Sequence, residues 1–160
     1  MRRPKKNAPQ ISNTLTGAAG VHFVAAEISR RGALVLVTVR NTKGIDALAT
    51  DVDGRRHVTI QVKSSYSRPA FWPIGSVLAP IPPEHAFYVF VRNAPDAPAG
   101  TPALAPMEAF IVPASVVYQT ADHPLPSGSA AWTAGGWPRR GAVNLDEYRN
   151  RWDLILTALT

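Results

Sequence analysis

Gly44-Ile45-Asp46-Ala47-Leu48-Ala49-Thr50-Asp51-Val52-Asp53-Gly54-Arg55-Arg56-His57-Val58-Thr59-Ile60-Gln61-Val62-Lys63-Ser64 is the stretch whose reading settles the rest of the chain. Residues 45–49 and 58–63 are strand-like. Asp53-Gly54 between them is the signal for a two-residue loop, whose primed turn closes antiparallel strands with the correct twist. With Val52 opposite Arg55, Asp46 falls opposite Gln61, and the period of two sets Lys63 one diagonal step away on the same face. The other face, Ile45, Ala47, Ala49, Val58, Ile60 and Val62, is wholly apolar and reads as the packing face. An Asp, a Gln and a Lys gathered beside such a face have little structural use, and ionisable groups placed this way mark functional sites. They form a candidate metal-and-phosphate site.

The flanking sequence supplies the elements around the hairpin. Thr14 or Thr16 can cap a helix that runs to about Arg31, where Gly32 stops it. Val21, Val24, Ala25 and Ile28 recur at helical spacing and should face a sheet, with Glu27 on the margin of that face. Glu27 has two readings: a carboxylate reaching the strand-borne site, or an ion pair with Arg30 or Arg31 one turn on. Leu34 to Arg40 is an apolar run expected at the centre of the sheet. Ser64 to Pro83 carries five prolines with Phe71, Trp72 and Gly75, and so reads as an irregular cover or as a loop whose aromatics meet a base. Ala86 to Val91 is a strand rich in aromatic and β-branched residues. Glu108 to Val112 reads as an edge strand, and Pro113 opens a short helix at 114–118. From Asn144 or Asp146 a terminal helix should place Leu145, Tyr148, Trp152, Ile155, Leu156 and Leu159 on one stripe.

Composition narrows the function classes. The chain has 160 residues, 46% hydrophobic and 18% charged, enough for one ordinary core. It contains no cysteine, which excludes disulfides, thiolate nucleophiles and cysteine metal sites. No apolar run approaches the ~18 residues of a membrane helix, and the amino terminus lacks a signal-like apolar segment. A cytoplasmic location without membrane contact is the expectation. Net charge is +6, of which Arg2, Arg3, Lys5 and Lys6 supply four, so residues 1–13 read as a basic flexible tail before a mildly basic domain at 14–160. The His residues at 22, 57, 85 and 123 lack metal-ligand spacing, and there is neither a GxSxG elbow nor a glycine-rich phosphate loop.

Gly44-Ile45-Asp46 and, one hairpin later, Gln61-Val62-Lys63-Ser64 resemble the core motif of the PD-(D/E)XK nuclease superfamily, the restriction-endonuclease-like fold. The resemblance covers residues 16–65 and, more weakly, a later strand and the last helix. In that superfamily an Asp on the second core strand and an acidic residue two before a Lys on the third bind a divalent metal, and the Lys positions or activates the attacking water. Many members add a Glu from the first helix, and Glu27 fits that place. Gln61 departs from the usual Glu or Asp, as in a QxK branch.

The resemblance implies a single α/β domain with a central mixed β-sheet of about four to five strands flanked by helices. It also implies a catalytic set of Glu27, Asp46, Gln61 and Lys63. Mg²⁺ or Mn²⁺ would be held by Glu27, Asp46, Gln61 and the backbone carbonyl of Val62, all hard oxygen donors. The expected activity is metal-dependent hydrolysis of DNA phosphodiester bonds. The alternative is a catalytically silent restriction-endonuclease-like module that binds nucleic acid or a protein, with Asp46 and Lys63 in a direct salt bridge. Arg2, Arg3, Lys5, Lys6, Lys43, Ser64, Trp72, Arg139 and Arg140 are the residues expected to meet nucleic acid, and a homodimer is compatible with either reading.

Overall fold

The computed structural model describes residues 11–39, 44–66, 72–75, 83–93, 106–120, 130–132 and 144–160. Helix α1 (Asn13–Ser29) opens at Ser12, whose hydroxyl accepts from the Leu15 amide at 3.2 Å, so the cap lies before the threonines that the sequence offered. The chain then turns at Gly32, with φ +94°, into β1 (Leu34–Val37), β2 (Ala47–Thr50) and β3 (His57–Ser65). A short strand β4 (Trp72–Gly75) follows, then β5 (Ala86–Arg92), β6 (Glu108–Pro113), α2 (Ala114–Thr120), β7 (Ala130–Trp132) and α3 (Trp152–Ala158).

Five strands form one mixed sheet in the order β1-β2-β3-β5-β6, and β4 pairs with β7 in a separate two-stranded sheet. Among the described strands of the main sheet, only β3 and β5 run parallel as neighbours. Alternation along the central strands explains the two cores. Phe87, Val89 and Val91 of β5 join Ala47, Ala49, Val58 and Ile60 under α1 and α3, while Tyr88 and Phe90 point the other way with Trp72, Phe110 and Val117. A strand buried on both faces reads as a continuous apolar run, which is why β5 was plain in the sequence.

Three expectations require correction. Within the apolar run at 34–40, β1 covers only Leu34–Val37 and is an edge strand, not a central one: Leu34 and Leu36 are 52% and 57% exposed. Apolar composition reports that a strand can be buried, not how many neighbours it acquires. The proline-rich cover contains β4, whose Trp72 packs on Phe90 with ring centroids 5.2 Å apart. The terminal helix is interrupted. Leu145–Tyr148 is a 3-10 turn capped by Asn144, and Asn150 takes φ +54° before α3 starts.

That break has a physical cause. The Asn150 amide donates to the Ala109 carbonyl at 2.9 Å, and Arg149 donates to Glu108 and Asp146, each at 2.6 Å. The guanidiniums of Arg92 and Arg149 also lie 4.8 and 4.9 Å from the centre of the buried Phe110 ring. Bonding to the edge of β6 replaces the helical bonds. Leu145 thereby enters one core, and Trp152 and Ile155 enter the other.

Helix α1 lies close against β3 at Gly20, where an added Cβ would come within 1.8 Å of Ser64 Oγ and 2.9 Å of Ser64 Cβ. Gly20→Ala should therefore destabilise the fold by about 1–3 kcal/mol, as overpacking does. Ser64→Gly in the same chain should recover part of that loss. Urea unfolding of the two single variants and the double variant measures the coupling, and additive effects would show that the two positions do not meet.

Candidate active site

The hairpin has the register that the sequence dictates: Ala47 opposes Ile60, Ala49 opposes Val58 and Thr50 opposes His57. Its loop is wider than the two-residue turn expected. The Asp51 amide donates to the Arg56 carbonyl at 3.2 Å and the Gly54 amide to the Asp51 carbonyl at 3.1 Å, with Gly54 at φ +68°. Asp51 Oδ1 also accepts from the Arg55 and Arg56 amides, at 2.7 and 3.2 Å. These bonds close residues 52–55 as the loop without shifting the pairing.

At the other end of the hairpin, Asp46 sits just before β2 with its backbone held on both sides. The Thr38 amide donates to the Asp46 carbonyl at 3.0 Å, and the Asp46 amide donates to the Ile60 carbonyl at 2.8 Å. Thr38 Oγ1 adds a 2.7 Å bond to the Ile45 carbonyl. The carboxylate is thus aimed at β3, where Oδ2 accepts from Gln61 Nε2 at 2.5 Å and from the Val62 amide at 2.7 Å. A carboxylate only accepts, so the Gln61 amide must present its nitrogen to Asp46 and leave Oε1 for another partner. Gln61 pairs with Tyr88 and Lys63 with Phe90, so both side chains leave the same face of β3.

Asp46 and Lys63 are half-buried and sense each other. Burial raises the Asp46 pKa above its ordinary 3.8, and the Val62 amide, the Lys63 charge and the Gln61 bond oppose that rise without cancelling it. Burial likewise lowers Lys63 from its ordinary 10.5, with Asp46 opposing. Among the described residues no direct Asp46–Lys63 salt bridge forms; the carboxylate is taken by Gln61 and Val62 instead. Asp46 and Val62 line a cleft of about 370 Å³ between α1 and the ends of β1 and β2, together with Gly17, Val21, His22 and Thr38; Gln61 and Lys63 leave β3 on the other face and are not part of that lining.

The other expected site residues are dispersed. Glu27 lies towards the C-terminal end of α1, 17% exposed, in ion pairs with Arg30 at 3.0 Å and Arg31 at 2.7 Å. Burial favours its protonated form, but the two arginines outweigh it and hold the pKa below the usual range. Glu27 does not line the Asp46 cleft, and among the described residues no three His, Asp or Glu side chains converge. Ser64 is turned under α1 with its hydroxyl buried, and Trp72 is 2% exposed in the core, so neither offers a surface to nucleic acid. Arg2, Arg3, Lys5, Lys6, Lys43, Arg139 and Arg140 lie outside the described residues. His22, which sequence reasoning left without a role, also lines the cleft; its signal is the small residues Gly17 and Ala18 one turn before it, which leave room on that face.

No protein-family model matches the chain, and no curated protein does. Among solved structures it is similar to a bacterial homing endonuclease, I-Ssp6803I, with a TM-score of 0.52 across 91% of this chain and 92% of that one. The two chains share a fold. Identity is 18%, so the likeness is one of architecture and assigns no residue. Among the described residues no helix is long and apolar enough to cross a membrane.

Because Lys63 lowers the Asp46 pKa, Lys63→Met should raise it further, and carboxyl carbon NMR titration measures the change. The folded pKa of Asp46 stands above its unfolded value. Stability should therefore fall as pH rises through the window just above 3.8, and in Lys63→Met that window should extend upward. An unchanged Asp46 titration would mean that the two charges do not interact.

Proposed function

We propose that this chain is a metal-dependent nuclease-like domain that hydrolyses phosphodiester bonds of DNA. The observation that supports it best is the Asp46 carboxylate, half-buried beside a cleft, fixed by the Val62 amide and the Gln61 side chain, and influenced by the Lys63 charge. The endonuclease-like architecture adds to it.

The donor set suits a hard divalent cation such as Mg²⁺ or Mn²⁺. Asp46 has Oδ1 beyond its two accepted bonds, and Gln61 keeps Oε1 after its nitrogen is engaged. A strand residue projects its N–H and C=O to the same edge, so the Val62 carbonyl leaves β3 on the side of Asp46. These three oxygens would hold the ion, which when bound supplies charge neutralisation at the phosphate and acidifies a water. Lys63 provides a cation beside the phosphate, where negative charge grows on the way to cleavage, and burial strengthens it there. Asp46 is fixed before substrate arrives and needs no reorganisation.

The silent-module reading keeps one observation in its favour. Glu27 is committed to Arg30 and Arg31, so Asp46 is left without a second carboxylate from α1.

Metal calorimetry and DNA cleavage on wild type, Gln61→Glu and Lys63→Ala separate the two readings. Lys63→Ala should lose about 10²-fold or more in cleavage rate while metal binding stays near that of wild type. Gln61→Glu should bind Mn²⁺ tighter, because it places a second anion beside Asp46. Binding should strengthen with pH as Asp46 loses its proton. Absence of metal binding at millimolar Mg²⁺ or Mn²⁺ in wild type and Gln61→Glu, with no cleavage by either, would overturn the enzyme reading.

A further inference from the structure

On the other flank of α1 lies a second pocket, of about 470 Å³, lined by Leu15, Ala19, His22, Tyr66, Asn93 and Met107 among others. The volume falls within the roughly 300–1,000 Å³ of small-molecule sites. Among the described residues its lining carries no Lys, Arg, Asp or Glu. The polar groups are specific. Asn93 is 5% exposed; its Nδ2 donates to the Thr16 carbonyl at 3.1 Å and its amide to the Ser65 carbonyl at 2.8 Å. Asn93 Oδ1 is left buried without a partner, and so is the Tyr66 hydroxyl. An unpaired buried acceptor carries a desolvation cost of about 1–3 kcal/mol, which a ligand N–H can offset.

A flat, neutral occupant able to give an N–H to Asn93 while exchanging a hydrogen bond with Tyr66 matches these groups. Nucleobases meet all of these conditions, since their edges set N–H donors beside carbonyl or ring-nitrogen acceptors. Met107 and His22 suit a flat ring, the first through its polarisable sulfur. Ala18 and His22 line both this pocket and the Asp46 cleft, so the two share a wall of α1. We propose that this pocket binds a nucleobase, donated to Asn93 Oδ1 through its N–H. The part that places the base in a DNA strand running past Asp46 rests on the nuclease reading; the binding itself does not.

Methyl NMR at Met107, Ala18 and Ala19 during titration with adenosine, guanosine, cytidine and thymidine tests the pocket directly. At least one nucleoside should give saturable shifts at these methyls. Asn93→Leu should weaken it tenfold or more, and Ala19→Leu, which fills the pocket from a helix position that tolerates leucine, should do the same. Lys63→Ala should leave it unchanged. No saturable shift with any nucleoside, equal response to toluene, or binding indifferent to Ala19→Leu would overturn the proposal. A short single-stranded DNA and its abasic counterpart distinguish the sources: shifts from the first alone assign the base to a strand, and shifts from nucleosides but from neither strand assign a free nucleoside. If nucleosides bind while metal binding and cleavage are absent, the pocket stands and the nuclease reading falls.

Discussion

A side chain takes over from the backbone where β2 and β3 part. Val62 lies two residues beyond Ile60, the last β3 residue paired with β2, and its amide would have no strand partner on that edge. Asp46 Oδ2 accepts that amide, and an unpaired buried N–H would be costly. The cost of removing the carboxylate is thus coupled to the cost of opening the sheet. Everything polar at the site follows from this substitution. Gln61 bonds to the same oxygen, and Lys63 sits in the field of the same charge.

The two halves of the molecule support this point differently. Under α1 the sheet is covered by small and β-branched residues, which lets the helix approach until Gly20 lies against Ser64. On the opposite face aromatic rings fill the space, with Tyr88 stacked on Phe90 at 5.9 Å and met edge-on by Tyr118 at 6.1 Å. Burial lifts the Tyr88 hydroxyl well above its ordinary pKa, so it remains a neutral phenol. Gln61 and Lys63 leave β3 on this aromatic face, within the parallel β3–β5 pair. Their low-dielectric surroundings are the cause of the Lys63 shift.

Local chemistry was legible in the sequence and long-range competition was not. The alternation on either side of Asp53-Gly54 specified the pairing of 47–50 with 57–60 even though the loop itself closes differently, because a slip by one residue would have turned Asp46 and Gln61 into the core. The β-branched and aromatic run at 86–92 announced a strand buried on both faces. Strand order was not written in composition, so the apolar 34–37 segment gave no sign that it would stand at an edge. The break at Asn150 depends on Glu108 and the Ala109 carbonyl, distant residues that no helical period reveals. The Asp46–Gln61–Lys63 group could be read because one hairpin carries it. Glu27 could not be placed, since its arginine partners and a strand-borne site were equally compatible with its position on α1.

The contact between α1 and α3 joins segments near opposite ends of the described chain. Phe23 meets Trp152 edge-on with centroids 6.2 Å apart, and the Arg31 guanidinium lies 5.2 Å from the same indole. Neither helix can complete its apolar face by local contacts, and the parallel β3–β5 pairing is itself non-local. Such contacts require loop closure before they repay the lost chain entropy, unlike the local β1-β2-β3 pairings. The wall of α1 that borders both clefts would then be among the last surfaces to reach its final position, and binding competence should emerge late, with the docking of Trp152.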